Sequence, residues 1–248
     1  MELQITLAIV VIVVLMLLLL RQRIRAGRTQ LVLRPLSGYS SLKQQVAQAI
    51  ETGSKLHISI GQAGLIGPDS ATSIAATQIV NSLAKEGCAN GTPPLVTVGE
   101  GTLLPLAQTQ IRAAYENADR IDEFDTHQAV FVASESDSMA YAGGVATEIF
   151  QNKIASNVLA GRFNEEVAIM AEAGTRKQVE QVIGSNNPIA LAVATAVTDN
   201  ILIGEELLVA GAYLESKPVQ LASVQLQDIL RWVIVLAIIA LAIIEMFT

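Results

Sequence analysis

Apolar and polar positions divide the chain into two uncharged ends and a regularly patterned middle. From Ile5 to Leu20, sixteen consecutive residues carry no formal charge and nearly all are aliphatic. As a helix this run rises roughly 24 Å, somewhat less than the roughly 30 Å hydrocarbon core of a bilayer. Arg21 and Arg23 close the gap by extending their stems along the helix end. From Trp232 to Ile244 a second run of thirteen residues is equally free of charge. Ile229, Leu230 and a snorkelling Arg231 lengthen it to a plausible span. The pattern predicts transmembrane helices over residues 1–22 and 229–248, joined to the middle by a basic juxtamembrane arm over 23–34.

The middle, 35–228, repeats a short apolar run, a polar loop and a helical period. SGYSSLKQQVAQAIETG comes first as a lone helix, with Ser40 or Ser41 as cap, Leu42, Val46 and Ile50 on one face, and Gly53 ending it. Five βα units follow. Their predicted strands are LHISIG (56–61), LVTVGEG (95–101), AVFVASE (129–135), EVAIMAEAG (166–174) and IALAVATAV (189–197). SNVLAGRF (156–163) reads as an antiparallel partner of the fourth unit through a turn at Asn164–Glu165. The alanine-rich IALAVATAV is also compatible with a helix. Strands apolar on both faces, alternating with helices, require a sheet covered on two sides. The expected fold is α/β, a mostly parallel sheet of about five βα units flanked by helices, with one transmembrane helix at each end.

Charge fixes the expected topology. Glu2 is the one charged side chain before the first apolar run, and Arg21, Arg23, Arg25, Arg28 and Arg34 follow it. A cleaved signal has the opposite polarity and small residues at its cleavage site, so the run reads as a retained anchor. Arg231 and Trp232 lie on the inner flank of the second run, as interfacial residues do. The positive-inside rule then places both tips outside and the middle in the cytoplasm, as expected for a two-span inner-membrane protein. A single cysteine, Cys88, agrees with a reducing compartment. The middle holds 21 acidic and 10 basic residues, a balance of −11. That acidity, with only 4 % aromatic residues, argues against nucleic acid as a partner. The arginine arm suits anionic headgroups instead.

Ligands of open α/β sheets collect at the carboxyl ends of the strands. GQAGLIGPDS places Gly61, Gly64 and Gly67 there, between a strand and a helix. Such a turn cradles phosphate, and Glu100 at the next strand end occupies the place of a dinucleotide fold's ribose acid. The spacing is G-x-x-G-x-x-G, however, and no Walker lysine follows, so a glycine-rich turn for tight strand–helix packing is the favoured account of the glycines. Glu100, Glu135, Asp137, Glu172 and Asp199 are expected along one sheet edge, where facing carboxylates bind a cation or share acid–base work. Each also reads as a helix-start acid that caps free N–H groups. His57 and His127 have no neighbour at metal-ligand spacing, Cys88 has no activating cation nearby, and no G-x-S-x-G elbow is present. No metal, cofactor or catalytic residue is expected. Gly143 and Gly144 mark either a helix break or a close packing or assembly contact.

With ALAVATAVTDNILIGEELLVAGAYL near its end, this plan resembles an uncharacterised family of bacterial membrane proteins whose two terminal spans bracket an α/β body. The resemblance implies the two-span layout and no reaction. The leading expectation is a scaffold that self-assembles through its cytoplasmic domain into a homo-oligomer, a ring or larger closed assembly. The alternative is a ligand- or nucleotide-sensing domain, possibly enzymatic, using Gly61–Gly67 and Glu100. Beyond the lipid bilayer, other membrane subunits are further candidate partners.

Overall fold

The computed structural model describes residues 2–26 and 33–247. Two compact units emerge, Met1–Arg34 with Glu215–Thr248, and Pro35–Leu214. The chain runs α1 (Glu2–Arg25), α2 (Ser37–Thr52), β1 (Lys55–Ser59), α3 (Ser70–Ala89), β2 (Leu95–Val98), α4 (Leu103–Asn117) and β3 (Ala129–Phe131). It continues through α5 (Ser138–Gln151), β4 (Ile154–Ala160), α6 (Val167–Arg176), β5 (Glu180–Ser185), α7 (Pro188–Val197) and β6 (Ile201–Ile203). Two short helices, α8 (Glu205–Leu208) and α9 (Ala210–Leu214), precede α10 (Pro218–Phe247).

All six strands form one parallel sheet in the order β3-β2-β1-β4-β5-β6. Successive side chains point to opposite faces, and both faces are covered. Leu56, Ile58, Val96, Val98 and Val158 pack under α2, α3 and α4. On the other face Leu159 and Ile183 meet Tyr141, Val145 and Met170 from α5 and α6. Buried aliphatic side chains of this kind stabilise the fold by roughly 1.5–3 kcal/mol each.

The first three units stand as the pattern predicted, and the second half differs. SNVLAGRF is no antiparallel appendage; it supplies most of β4, a central strand parallel to β1. The turn after it leads into α6, where EVAIMAEAG had been expected as a strand. Val167, Met170, Ala171 and Gly174 recur at helical spacing on the buried side, and Glu172 and Arg176 pair across one exposed turn. Helix period wins over apolar content there. The strand of that unit is β5, inside the predicted helix TRKQVEQVIG. IALAVATAV is α7, started by Asn187, whose side chain accepts from Ile189 N, and by Pro188 at the first turn. Residues 201–203, expected as helix, pair with β5 as edge strand β6. α2 starts at Ser37, so Ser40 and Ser41 lie inside it rather than capping it, and Gly53 ends it in a left-handed conformation as predicted.

In the other unit α1 packs along α10. Arg21, Arg23 and Arg25 occupy the last turns of α1; Arg28 lies outside the described residues. Pro218–Ile239 is long and apolar enough to cross a bilayer by length and composition.

Candidate functional site

The strand order reverses between β1 and β4, and in open α/β sheets the crevice at that point is the customary ligand site. Three strand exits meet there backbone to backbone. Gly61, beyond β1, has φ +76°, and a Cβ on it would lie 2.6 Å from the Arg162 carbonyl oxygen. A side chain at this position would force the exits of β1 and β4 apart. Gln62 N donates to Arg162 O at 3.3 Å, and Gly99 N to Gly61 O at 2.9 Å.

From Gly61 the loop runs over Gly64 and Gly67 to α3. Gly64 faces Glu100: a Cβ there would sit 3.2 Å from the Glu100 carboxyl carbon. Glu100 Oε2 accepts from Thr102 N at 2.8 Å and from the Thr102 hydroxyl. The glycine loop thus lies against the acid beyond β2, as the sequence suggested. Gly67 has φ +120° and open space around it. Ile66, between these glycines, is 93 % exposed.

Asp69, at the start of α3, makes no capping hydrogen bond. Its Oδ2 is 3.0 Å from Arg162 Nε, and its Oδ1 accepts from Asn186 Nδ2 at 2.9 Å. Arg162 also pairs through a terminal nitrogen with Glu135 Oε1, in the 3-10 turn Glu135–Asp137. Its guanidinium therefore joins the α3 start to the β3 exit, across the exits of β1 and β4. Asp137 precedes α5 without a side-chain capping bond.

Two predicted members of the acidic edge are elsewhere. Glu172 lies within α6, paired to Arg176 at 2.8 Å. Asp199 precedes β6 and so lies toward the amino ends of the strands; its carbonyl accepts from Ser37 Oγ at 3.3 Å. Both were placed at the carboxyl edge because α6 and α7 were read as strands. Of the five acids, Glu100 accepts from a backbone N–H beside a helix start, at Thr102, and Glu135 and Asp137 lie in the first turn of a 3-10 helix. No cluster of three metal-ligating side chains exists among the described residues.

Asp69, Arg162 and Asn186 were missed. Arg162 follows a Gly at a strand exit, the one signal available, and it pointed nowhere while that strand was read as antiparallel.

The two glycines of α5 leave the helix unbroken. A Cβ on Gly144 would lie 2.1 Å from Val132 Cγ1, so its bare surface receives the chain leaving β3; Gly143 has open space around it.

His57 belongs to a buried polar ladder crossing four strands. His57 Nδ1 lies 2.7 Å from Asn157 Oδ1 and Nε2 lies 3.0 Å from Thr97 Oγ1. Asn157 Nδ2 donates to Gln181 Oε1 at 2.9 Å, and Gln181 Nε2 donates to Ala171 O at 3.0 Å. Because Asn157 Oδ1 only accepts, Nδ1 carries the proton and Nε2 accepts from the Thr97 hydroxyl. Every member is satisfied with a neutral ring, and complete burial holds His57 down to about 4. His57 is thus a framework group with no free valence for a metal. His127 is exposed on Asp125, and burial pushes the Cys88 thiol up to about 11, away from the reactive thiolate.

Across residues 1–248 the sequence matches the model of a family described as a domain of unknown function, DUF6754. The chain belongs to this family. No curated protein and no solved structure matches it. For this DUF6754 member, the crevice residues carry the functional argument.

Proposed function

We propose that the protein is a membrane-anchored ligand-binding module that takes a nucleotide-type molecule in the β1/β4 crevice. The observation that carries this reading is the strand order: its reversal falls where Gly61–Gly67, Glu100 and Arg162 converge. Glu100 Oε2 is fixed by Thr102, and Oε1 has no partner among the described residues, which suits it to accept from ribose hydroxyls. Exposed Ile66 on the same loop supplies an apolar surface for a planar base. A thermal shift screen of the full chain against nucleosides and nucleotides tests the reading. Stabilisation should appear with the wild type and vanish in Gly64→Val, whose side chain would displace Glu100. A screen without any shift refutes it.

The anchor is read from both terminal helices. Leu7, Ile12, Leu15 and Leu19 on α1, and Ile234, Leu236 and Ile238 on α10, are exposed aliphatic side chains that suit lipid. On this reading α1 and α10 form two spans, Arg21, Arg23, Arg25, Arg231 and Trp232 sit at the interface, and the central domain is cytoplasmic.

Self-assembly is the second reading. It is favoured by an apolar groove of about 390 Å³ between α5 and α6, lined by Ala146, Phe150, Ala168 and Ile169 among others. Light scattering on the detergent-extracted protein tests it, and a monomer at micromolar concentration refutes it.

A further inference from the structure

We infer that Arg162 is the phosphate-recognising residue of the crevice and that Asp69 and Glu135 hold it as an internal latch. The inference rests on the ligand-binding reading above and adds to it the charged group of the ligand and a means of regulation.

The guanidinium makes ion pairs to two acids from separate elements: Asp69 at the start of α3 and Glu135 beyond β3. Asp69 does not use its carboxylate to cap α3, the helix it precedes. Asp69 is instead held toward Arg162 by Asn186, from the exit of β5. Four strand exits therefore contribute to one arginine: β1 through Asp69, β3 through Glu135, β4 through Arg162 itself and β5 through Asn186. Arg162 remains partly exposed, its side chain at 31 %. Two carboxylates against one guanidinium leave the group net negative, so an entering phosphate meets repulsion as well as a planar bidentate donor.

The spacing suits a nucleoside monophosphate. The Arg162 backbone lies against Gly61, and Glu100 lies against Gly64. Those glycines are three positions apart, with Gln62 and Ala63 between them, so their α-carbons lie within roughly 10 Å of each other. A ribose on Glu100 then leaves its 5′-phosphate on the Arg162 side of the loop. Binding exchanges the Arg162–Asp69 and Arg162–Glu135 pairs for Arg162–phosphate, which frees the α3 start from the β3 exit. The latch is thus both an affinity filter and a conformational link between ligand and surface.

Titration calorimetry on the full chain in detergent, with each nucleoside and its 5′-monophosphate, tests this. At least one monophosphate should bind tighter than its nucleoside, and Arg162→Gln should abolish that difference. Asp69→Asn keeps the acceptor for Asn186 but removes charge; it and Glu135→Gln should each tighten the monophosphate roughly three- to fivefold without changing the nucleoside. Unchanged monophosphate affinity in both variants, or a phosphate preference that survives Arg162→Gln, overturns the latch. Nucleoside binding that depends on Glu100 with no phosphate preference overturns the latch and leaves the site. No binding of either compound overturns both.

Discussion

His57 makes the stability of the sheet depend on pH in a direction and amount that follow from its ladder. Protonating Nε2 would set a second N–H against Thr97 and place a charge in a fully buried site. The folded protein therefore resists the proton until about pH 4, whereas the unfolded chain takes it at 6.5. The folded value lies below the unfolded one, so the contribution is intact above pH 6.5 and is lost as pH falls toward 4. Over that window the unfolded state binds one more proton, and stability declines by about 1.4 kcal/mol per pH unit, about 3 kcal/mol in all. That is a large share of the 5–15 kcal/mol that holds a typical domain together. Urea unfolding of the full chain in detergent, followed by far-ultraviolet circular dichroism between pH 7.5 and 4.5, measures the loss. The comparison is His57→Gln, because other titrating groups cancel in the difference between the two curves. The wild-type curve should fall more steeply with acid than the variant's. Carbon-13 labelling of the histidines adds a direct check: across that range the His57 ring should stay neutral and protonated on Nδ1. Parallel stability curves, or a His57 midpoint near 6.5 in the folded protein, would refute the reasoning.

Other outcomes follow from single contacts. Gly144→Val should destabilise the domain by roughly 1–3 kcal/mol through collision with Val132, seen as a lower urea midpoint. Asn187→Ala should cost about 1 kcal/mol by uncapping α7, with Asn187→Ser recovering most of it in the same assay. Cys88, buried and with its thiol near 11, should resist a thiol reagent at pH 7.5 until urea unfolds the domain; stoichiometric labelling of the native protein would contradict its burial.

The units through β3 were legible because Leu56, Ile58, Leu95 and Val96 sit in short β-branched or aliphatic runs bounded by glycine turns. Beyond β4 alanine dominates, and EVAIMAEAG and IALAVATAV are apolar enough to satisfy either period. Two local cues pointed to helix: the Glu172–Arg176 spacing and the Asn187–Pro188 pair. Reading those segments as strands displaces β5 and β6 and puts Glu172 and Asp199 in the wrong places. The placement of Gly61, Gly64 and Glu100 at one sheet edge was legible because a strand exit and its glycines are local features. Asp69 and Asn186 are 117 positions apart, and what joins them is the sheet order, which no local pattern encodes. The same holds for His57 and Asn157, which are 100 apart.

The ladder through His57 also bears on how the strands find their alignment. Apolar parallel strands have little to tell one threading from the next, since a slide by one residue exchanges one greasy face for another. Here such a slide on β1 or β4 would turn an imidazole or an amide away from its mate and bury it unmatched on the opposite side of the sheet. Each unmatched group costs roughly 1–3 kcal/mol, so four side chains set the threading of an otherwise uniform sheet.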